Sequence, residues 1–227
     1  MAVTKVDIYE ACDKAIQAMN RENLKDFGRL KLAKWDEVNV IREVTGIYRR
    51  NAQRARKRYY EVAFEVFLLI MAMCDEEPKK AHKKAEQSIT SEWIDKILEE
   101  TDPVTLFRFN TETERKAYRL IEALEEAENK NEEIDRALRL WSRQLGQYAI
   151  NVTDYAAAQA YHDAGVEMVQ WITQKDERVC IECHALDGRI FLIDEVPRKP
   201  HWGCRCFLRA VFSKGKNGEW NQEHDKA

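Results

Sequence analysis

Apolar residues recur at steps of three and four along most of the chain, and the pattern gives way to alternation only near its C-terminal end. Residues 4–19 read as a helix with Val6, Tyr9, Cys12, Ile16 and Met19 on one face. A much longer helix is predicted from Asp36, an N-cap residue type, to Cys74. Its stripe is Val40, Val44, Ile47, Ala55, Tyr59, Val62, Val66 and Leu69, with Asn51 as the one polar step. Pro78 ends that helix or opens the next, which carries Trp93, Ile94, Ile97 and Leu98 and stops at Asp102-Pro103. Thr111 and Glu114 have the spacing of a capping box opening a helix to about Glu128. The clearest periodicity follows, in Ile134, Leu138, Trp141, Leu145, Tyr148, Val152 and Tyr155, a heptad pattern suited to packing along a whole helix. Gly165 is placed to end it, because glycine tolerates the left-handed backbone of a helix terminus.

Beyond Gly165 the pattern is that of short strands. Val169–Thr173 and Arg189–Ile193 alternate about an Asp187-Gly188 hairpin signal, and Phe207–Phe212 reads as another strand. The polar stretch from Ser213 to Ala227 lacks any such pattern and is expected to be loose. The expected fold class is therefore mainly α, an elongated helical region of long amphipathic helices plus a small C-terminal β module, zinc-bound through the cysteines paired at Cys180-x-x-Cys183 and Cys204-x-Cys206. The divisions are 1–165, 166–212 and 213–227.

Composition narrows the class. Hydrophobic residues make up 44% and charged residues 34%, with only eight Gly and four Pro. That balance excludes collagenous, disulfide-scaffold and disordered chains. A net charge of −3 gives no global pull toward nucleic acid or membrane, although the front of the chain is basic and the middle acidic. Asp7, Glu10 and Asp13 interrupt the place where a signal peptide would carry its apolar stretch. The apolar run Val66–Cys74 falls short of the ~20 residues that span a bilayer. A reducing compartment is expected, where cysteines serve as ligands or core residues rather than disulfides.

Those cysteines supply the candidate chemistry. Cys180-x-x-Cys183 is followed, after seventeen intervening residues, by His201-x-x-Cys204-x-Cys206. Two chelating pairs joined by a hairpin-sized loop suit a tetrahedral zinc ion, each pair holding two ligands on one turn. The stretch has few large apolar residues, and structural zinc can supply ~10–16 kcal/mol of folding energy at neutral pH. The favoured ligands are Cys180, Cys183, His201 and Cys204. Cys206 either packs beneath them or replaces His201. His184 is expected outside the set, and Cys12 and Cys74 in the core. A redox Cys-x-x-Cys is disfavoured, since no βαβ pattern surrounds it and no helix start follows it. A catalytic zinc site keeps an open position beside a base, whereas these thiols suffice to close the site. The deaminase pattern, a phosphate loop, a Gly-x-Ser-x-Gly elbow and His-Glu-x-x-His are all missing. No enzymatic activity and no catalytic residue are expected.

One further feature is a cationic run on the long helix: Arg49, Arg50, Arg54, Arg56, Lys57 and Arg58. Tyr48, Ala52, Ala55, Tyr59 and Val62 share one arc, leaving the cations on the opposite half. Such a face is ordinarily solvated; its functional reading is contact with a phosphate backbone or an acidic partner.

The C-terminal string also resembles a known family. WITQKDERVCIECHALDGRIF followed by KPHWGCRCFLRAVF is similar to the signature of phage minor head proteins, the head morphogenesis family named after the F protein of phage Mu. The matching elements are the Trp171-x-Thr173 strand, Asp176-x-Arg178-x-Cys180-x-x-Cys183, the Asp187-Gly188 turn and the Pro200-His201-x-x-Cys204-Arg205-Cys206 close. DPVTLFRFNTETERKAYRLIEAL and EIDRALRLWSRQLGQYAINVTDYA resemble the helical part of such proteins from phages of Gram-positive bacteria. The resemblance implies a virion component made in the host bacterial cytoplasm, present in few copies at the portal vertex, acting in head assembly or early DNA delivery. It implies the portal protein as partner, with other head proteins and packaged DNA beside it, and no membrane. Larger relatives carry toxin-like or enzymatic domains after this module; the chain closes soon after it, so none is expected here. The zinc assignment rests on spacing. The alternative function is a zinc-containing nucleic-acid-binding protein using the arginine-rich stripe.

Overall fold

Among the described residues, seven helices precede or interrupt a three-stranded sheet. The computed structural model describes residues 5–35, 39–100, 107–173, 177, 179–197, 199–201, 204 and 206–211, residues 5–7 as backbone alone. Asp36, the Asp102-Pro103 stop, Asp176, Arg178, Arg205, Phe212 and the stretch from Ser213 onward lie outside the described residues. The helices are α1 (Lys5–Lys31), α2 (Val40–Met73), α3 (Pro78–Ser88), α4 (Ser91–Glu99), α5 (Phe109–Glu126), α6 (Lys130–Asp163) and α7 (Ile181–Leu186). The strands are β1 (Met168–Ile172), β2 (Ile190–Leu192) and β3 (Phe207–Val211), with a 3-10 turn at Ile193–Glu195.

Several boundaries differ from the sequence expectation, each for a local reason. α1 continues twelve residues past Met19 because its buried face there includes Asn23 and Asp26, which break the apolar periodicity. Asp26 accepts from Asn51 Nδ2 at 2.9 Å, so the one polar step of α2 is satisfied by a buried partner. The expected single helix over Pro78–Leu98 is divided at Thr90, whose hydroxyl accepts from Trp93 N and caps α4. The Thr111–Glu114 capping box does not form: α5 already begins at Phe109, with Arg108 as an N-cap that makes no side-chain bond. Phe109 is fully buried, edge-on to Tyr148 at 4.9 Å, and that packing sets the helix start.

Other expectations hold. Ile134, Trp141, Leu145, Tyr148 and Val152 are buried along α6, with Leu138 and Tyr155 half-buried. Gly165 (φ +78°) closes α6 with Val166 N bonded to Tyr161 O and Gly165 N to His162 O, both at 2.9 Å. That pair of bonds is a Schellman terminus.

The chain separates into two compact units. One comprises Ala11–Val62 and Thr90–Val152; its core is an aromatic train in which Tyr48 meets Phe27 and Trp141, and Phe109 meets Tyr59, Trp141 and Tyr148. The other comprises Met1–Glu10, Ala63–Ile89 and Thr153–Ala227. The β strands share that unit with helical segments, and Tyr161 on α6 donates to Leu208 O of β3. The strand order is β2-β1-β3, all antiparallel, with Val169 facing Phe191 on one side and Ala210 on the other. Gly188 (φ +76°) makes the expected turn, but α7 intervenes between β1 and β2, so the connection is longer than a tight hairpin.

Candidate metal centre

Cys180 is the N-cap of α7, its Sγ accepting from Cys183 N at 3.3 Å. A helix start therefore does follow the first chelating residue, contrary to expectation, although no βαβ unit surrounds it. The cap is what brings the pair together: one turn of helix returns Cys183 beneath Cys180, while Ile181 between them is left 89% exposed. Cys183 itself is buried, and His184 is exposed as expected.

The second half of the site comes from the segment that leads into β3. Cys183 Sγ lies 3.2 Å from His201 Nε2 and 3.5 Å from Cys204 Sγ. Potential ligand atoms fall into two overlapping groups, Cys180–Cys183–His201 and Cys183–Cys204–Cys206, each within 4.8 Å throughout. Cys183 is common to both. Cys204 and Cys206, two positions apart just before β3, both approach Cys183, and both are buried beside Trp171. Val179, Leu186, Phe191, Val196 and Leu208 complete the apolar wall.

That wall sets the electrostatics. Burial, then hydrogen bonds with Cys204, Cys180 and Cys206, pushes the Cys183 thiol far above its ordinary range. Burial likewise raises Cys204. Neutral thiols suit such surroundings, and thiolates here would need a cation at bonding distance. The donor set fits zinc: bonds of about 2.3 Å in a tetrahedron place sulfurs about 3.8 Å apart, close to the 3.5 Å between Cys183 and Cys204. The five candidate ligands thus form two triplets joined at Cys183, and both His201 and Cys206 lie within reach of it.

The cationic run divides. Arg54 bonds Asp26 and meets Glu22, Arg56 meets Asp95 at 3.1 Å and Asn110 at 2.7 Å, and Arg58 meets Glu61 at 2.9 Å and Glu22 at 3.2 Å. Arg49, Arg50 and Lys57 are exposed. Half of the run is therefore committed to neighbouring polar side chains of its own unit.

Sequence reasoning missed Tyr9, Asp154 and Lys199, which gather behind the cysteines. Tyr9 read only as one apolar position of a helix, and Asp154 as an unremarked polar residue between Val152 and Tyr155. Their bonds span 145 and 190 positions of chain, a separation that local pattern does not encode.

A helical chain ending in a small sheet with a thiol-rich centre is the class of protein these features define. Residues 112–209, from the first turn of α5 into β3, match the family described as phage Mu protein F like protein. The match supports the resemblance of the C-terminal motifs to the Mu F-like phage head morphogenesis family. No curated protein and no solved structure matches the chain. Among the described residues, no helix is long and apolar enough to cross a membrane.

Proposed function

We propose that the protein is a minor head component of a phage particle, associated with the portal vertex and acting in head assembly or DNA delivery. The observation that carries this reading is the family match, which takes in α5, α6, β1, α7 and β2 and extends into β3. We further propose that the centre holds one structural zinc ion through Cys180, Cys183, Cys204 and either His201 or Cys206, and that the protein is not an enzyme. When bound, the ion would supply a cross-link between the two chelating halves; the residues themselves supply the buried, apolar surround that keeps the ligands in place. A ligand set dominated by thiols supports a closed, structural site over a catalytic one.

The nucleic-acid reading of the α2 stripe is supported less well. Arg54, Arg56 and Arg58 already have partners, so a phosphate backbone would meet chiefly Arg49, Arg50 and Lys57.

Co-expression with the cognate portal protein, followed by gel filtration, tests the main reading together with mass analysis of purified virions. Co-elution with the portal and presence in virions are expected. Absence from virions and procapsids, with no portal association, would overturn it.

A further inference from the structure

The segment from Lys199 to Cys206 forms no helix or strand among its described residues, so its backbone carbonyls need partners from elsewhere. Two of them find those partners in a single polar cluster. Lys199 Nζ donates to Cys204 O at 3.3 Å, and Tyr9 O–H donates to Cys206 O at 2.9 Å. These donors are themselves joined. Lys199 Nζ donates to Tyr9 Oη at 3.0 Å and pairs with Asp154 Oδ2 at 2.7 Å, while Tyr9 Oη also lies 3.1 Å from Asp154 Oδ1. The Lys199 ammonium thus donates to a ligand-arm carbonyl and a phenol while ion-pairing with a carboxylate. The Lys199 side chain is only 9% exposed, and its ammonium also lies 5.2 Å from the centre of the Tyr9 ring. A lysine so enclosed is held in one geometry, unlike a surface lysine that samples many.

We propose that Lys199, seated by Asp154 and Tyr9, is a positioning residue for the metal centre, holding the arm that carries His201, Cys204 and Cys206 against Cys183. The inference rests on the metal reading given above. Its physical basis is preorganisation. The arm supplies half or more of the ligands, and an arm left free would have to be ordered at the moment of binding, which weakens affinity. Linkage then runs both ways. Whatever the clamp adds to metal affinity, the metal adds to the seating of Tyr9, so metal loading strengthens attachment of the first turns of α1.

The test uses the full chain and three variants: Lys199→Met, which keeps the aliphatic stem; Lys199→Arg, which keeps the charge; and Tyr9→Phe, which removes one hydroxyl and keeps the ring. Zinc affinity is read by competition with a chromophoric chelator. The metal-free protein is read separately by the rate of iodoacetamide alkylation at Cys204 and Cys206, with buried Cys12 as internal reference. Lys199→Met is expected to weaken zinc binding about 10–100-fold, Tyr9→Phe less, with Lys199→Arg restoring part of the loss. Both Lys199→Met and Tyr9→Phe should speed alkylation of Cys204 and Cys206 but not of Cys12. Should Lys199→Met fail to fold, Tyr9→Phe carries the comparison. If wild type takes up no zinc while the variants still expose Cys204 and Cys206, the metal reading fails and the clamp stands. Unchanged zinc affinity with unchanged alkylation in Lys199→Met and Tyr9→Phe overturns the clamp and leaves the metal reading intact.

Discussion

Cys183 Sγ stands 3.5 Å from Cys204 Sγ across 21 positions of chain. It is the one residue shared by both groups of potential ligands, and the arrangement orders the cysteines by importance in a way their spacing does not. Cys183→Ser is expected to abolish stoichiometric zinc in elemental analysis of protein purified without chelators. His201→Ala and Cys206→Ser should differ, the true ligand costing far more affinity than the bystander. Metal-free wild-type protein with a fully ordered C-terminal module would exclude the structural zinc.

Removing the metal should loosen residues from Val179 to Cys206 first. The donors sit in a small apolar cluster around Trp171, so limited proteolysis after chelation should cut in this span. Circular dichroism in the far ultraviolet should change little, since the long helices have their own buried faces. Because β3 and the end of α6 are bonded in one unit, some loss of protection near Tyr161 should accompany it in hydrogen exchange.

The α2 arginines separate by experiment. Arg54→Glu strips buried Asp26 of its charge partner and is expected to destabilise by about 2 kcal/mol in urea unfolding. Arg49→Glu, Arg50→Glu and Lys57→Glu together should leave the unfolding midpoint almost unchanged. If the stripe binds DNA, that triple variant should lose affinity and flatten its salt dependence; equal affinity would return the face to solvent.

Acid stability should carry the signature of Glu76. Hydrogen bonds from Lys84 (2.5 Å) and Lys80 hold its carboxyl down at about 2. A depressed carboxylate stabilises the fold above its unfolded value, near 4.3, and that contribution is lost as pH falls toward 2. Wild type should therefore lose stability on acidification from about pH 5 to pH 2, and Glu76→Gln should be less stable at neutrality with a shallower fall. Parallel pH profiles of the two proteins would show that the contacts contribute nothing.

Trp141 anchors the aromatic train, fully buried and 5.0 Å from Tyr48. Trp141→Ala should cost roughly 3–5 kcal/mol, measured by denaturant unfolding. A cost below ~1 kcal/mol would mean that the neighbouring rings collapse into the space.

The sequence by itself determined the long helices, the end of α6 and the set of residues available for a metal. Helix periodicity and a left-handed glycine are local properties, and Ile134, Trp141, Val152 and Gly165 declare them in order along the chain. The chelating pairs were legible for the same reason, each being a short-range feature. Only the tertiary structure decided what those local features meet. Asp26 and Asn23 broke the pattern of α1 because their partners, Asn51 and Ser142, lie on other helices. Thr111 and Glu114 had the spacing of a cap, yet burial of Phe109 outweighed it. Cys183 meets His201, Cys204 and Cys206 only because α7 and the segment before β3, distant in the chain, pack together. The Tyr9–Asp154–Lys199 cluster joins three distant segments through single polar atoms, and no periodicity marks a residue whose partner is far away in sequence. Burial and hydrogen-bond satisfaction are settled by the assembled chain, so they appear only once its segments have packed.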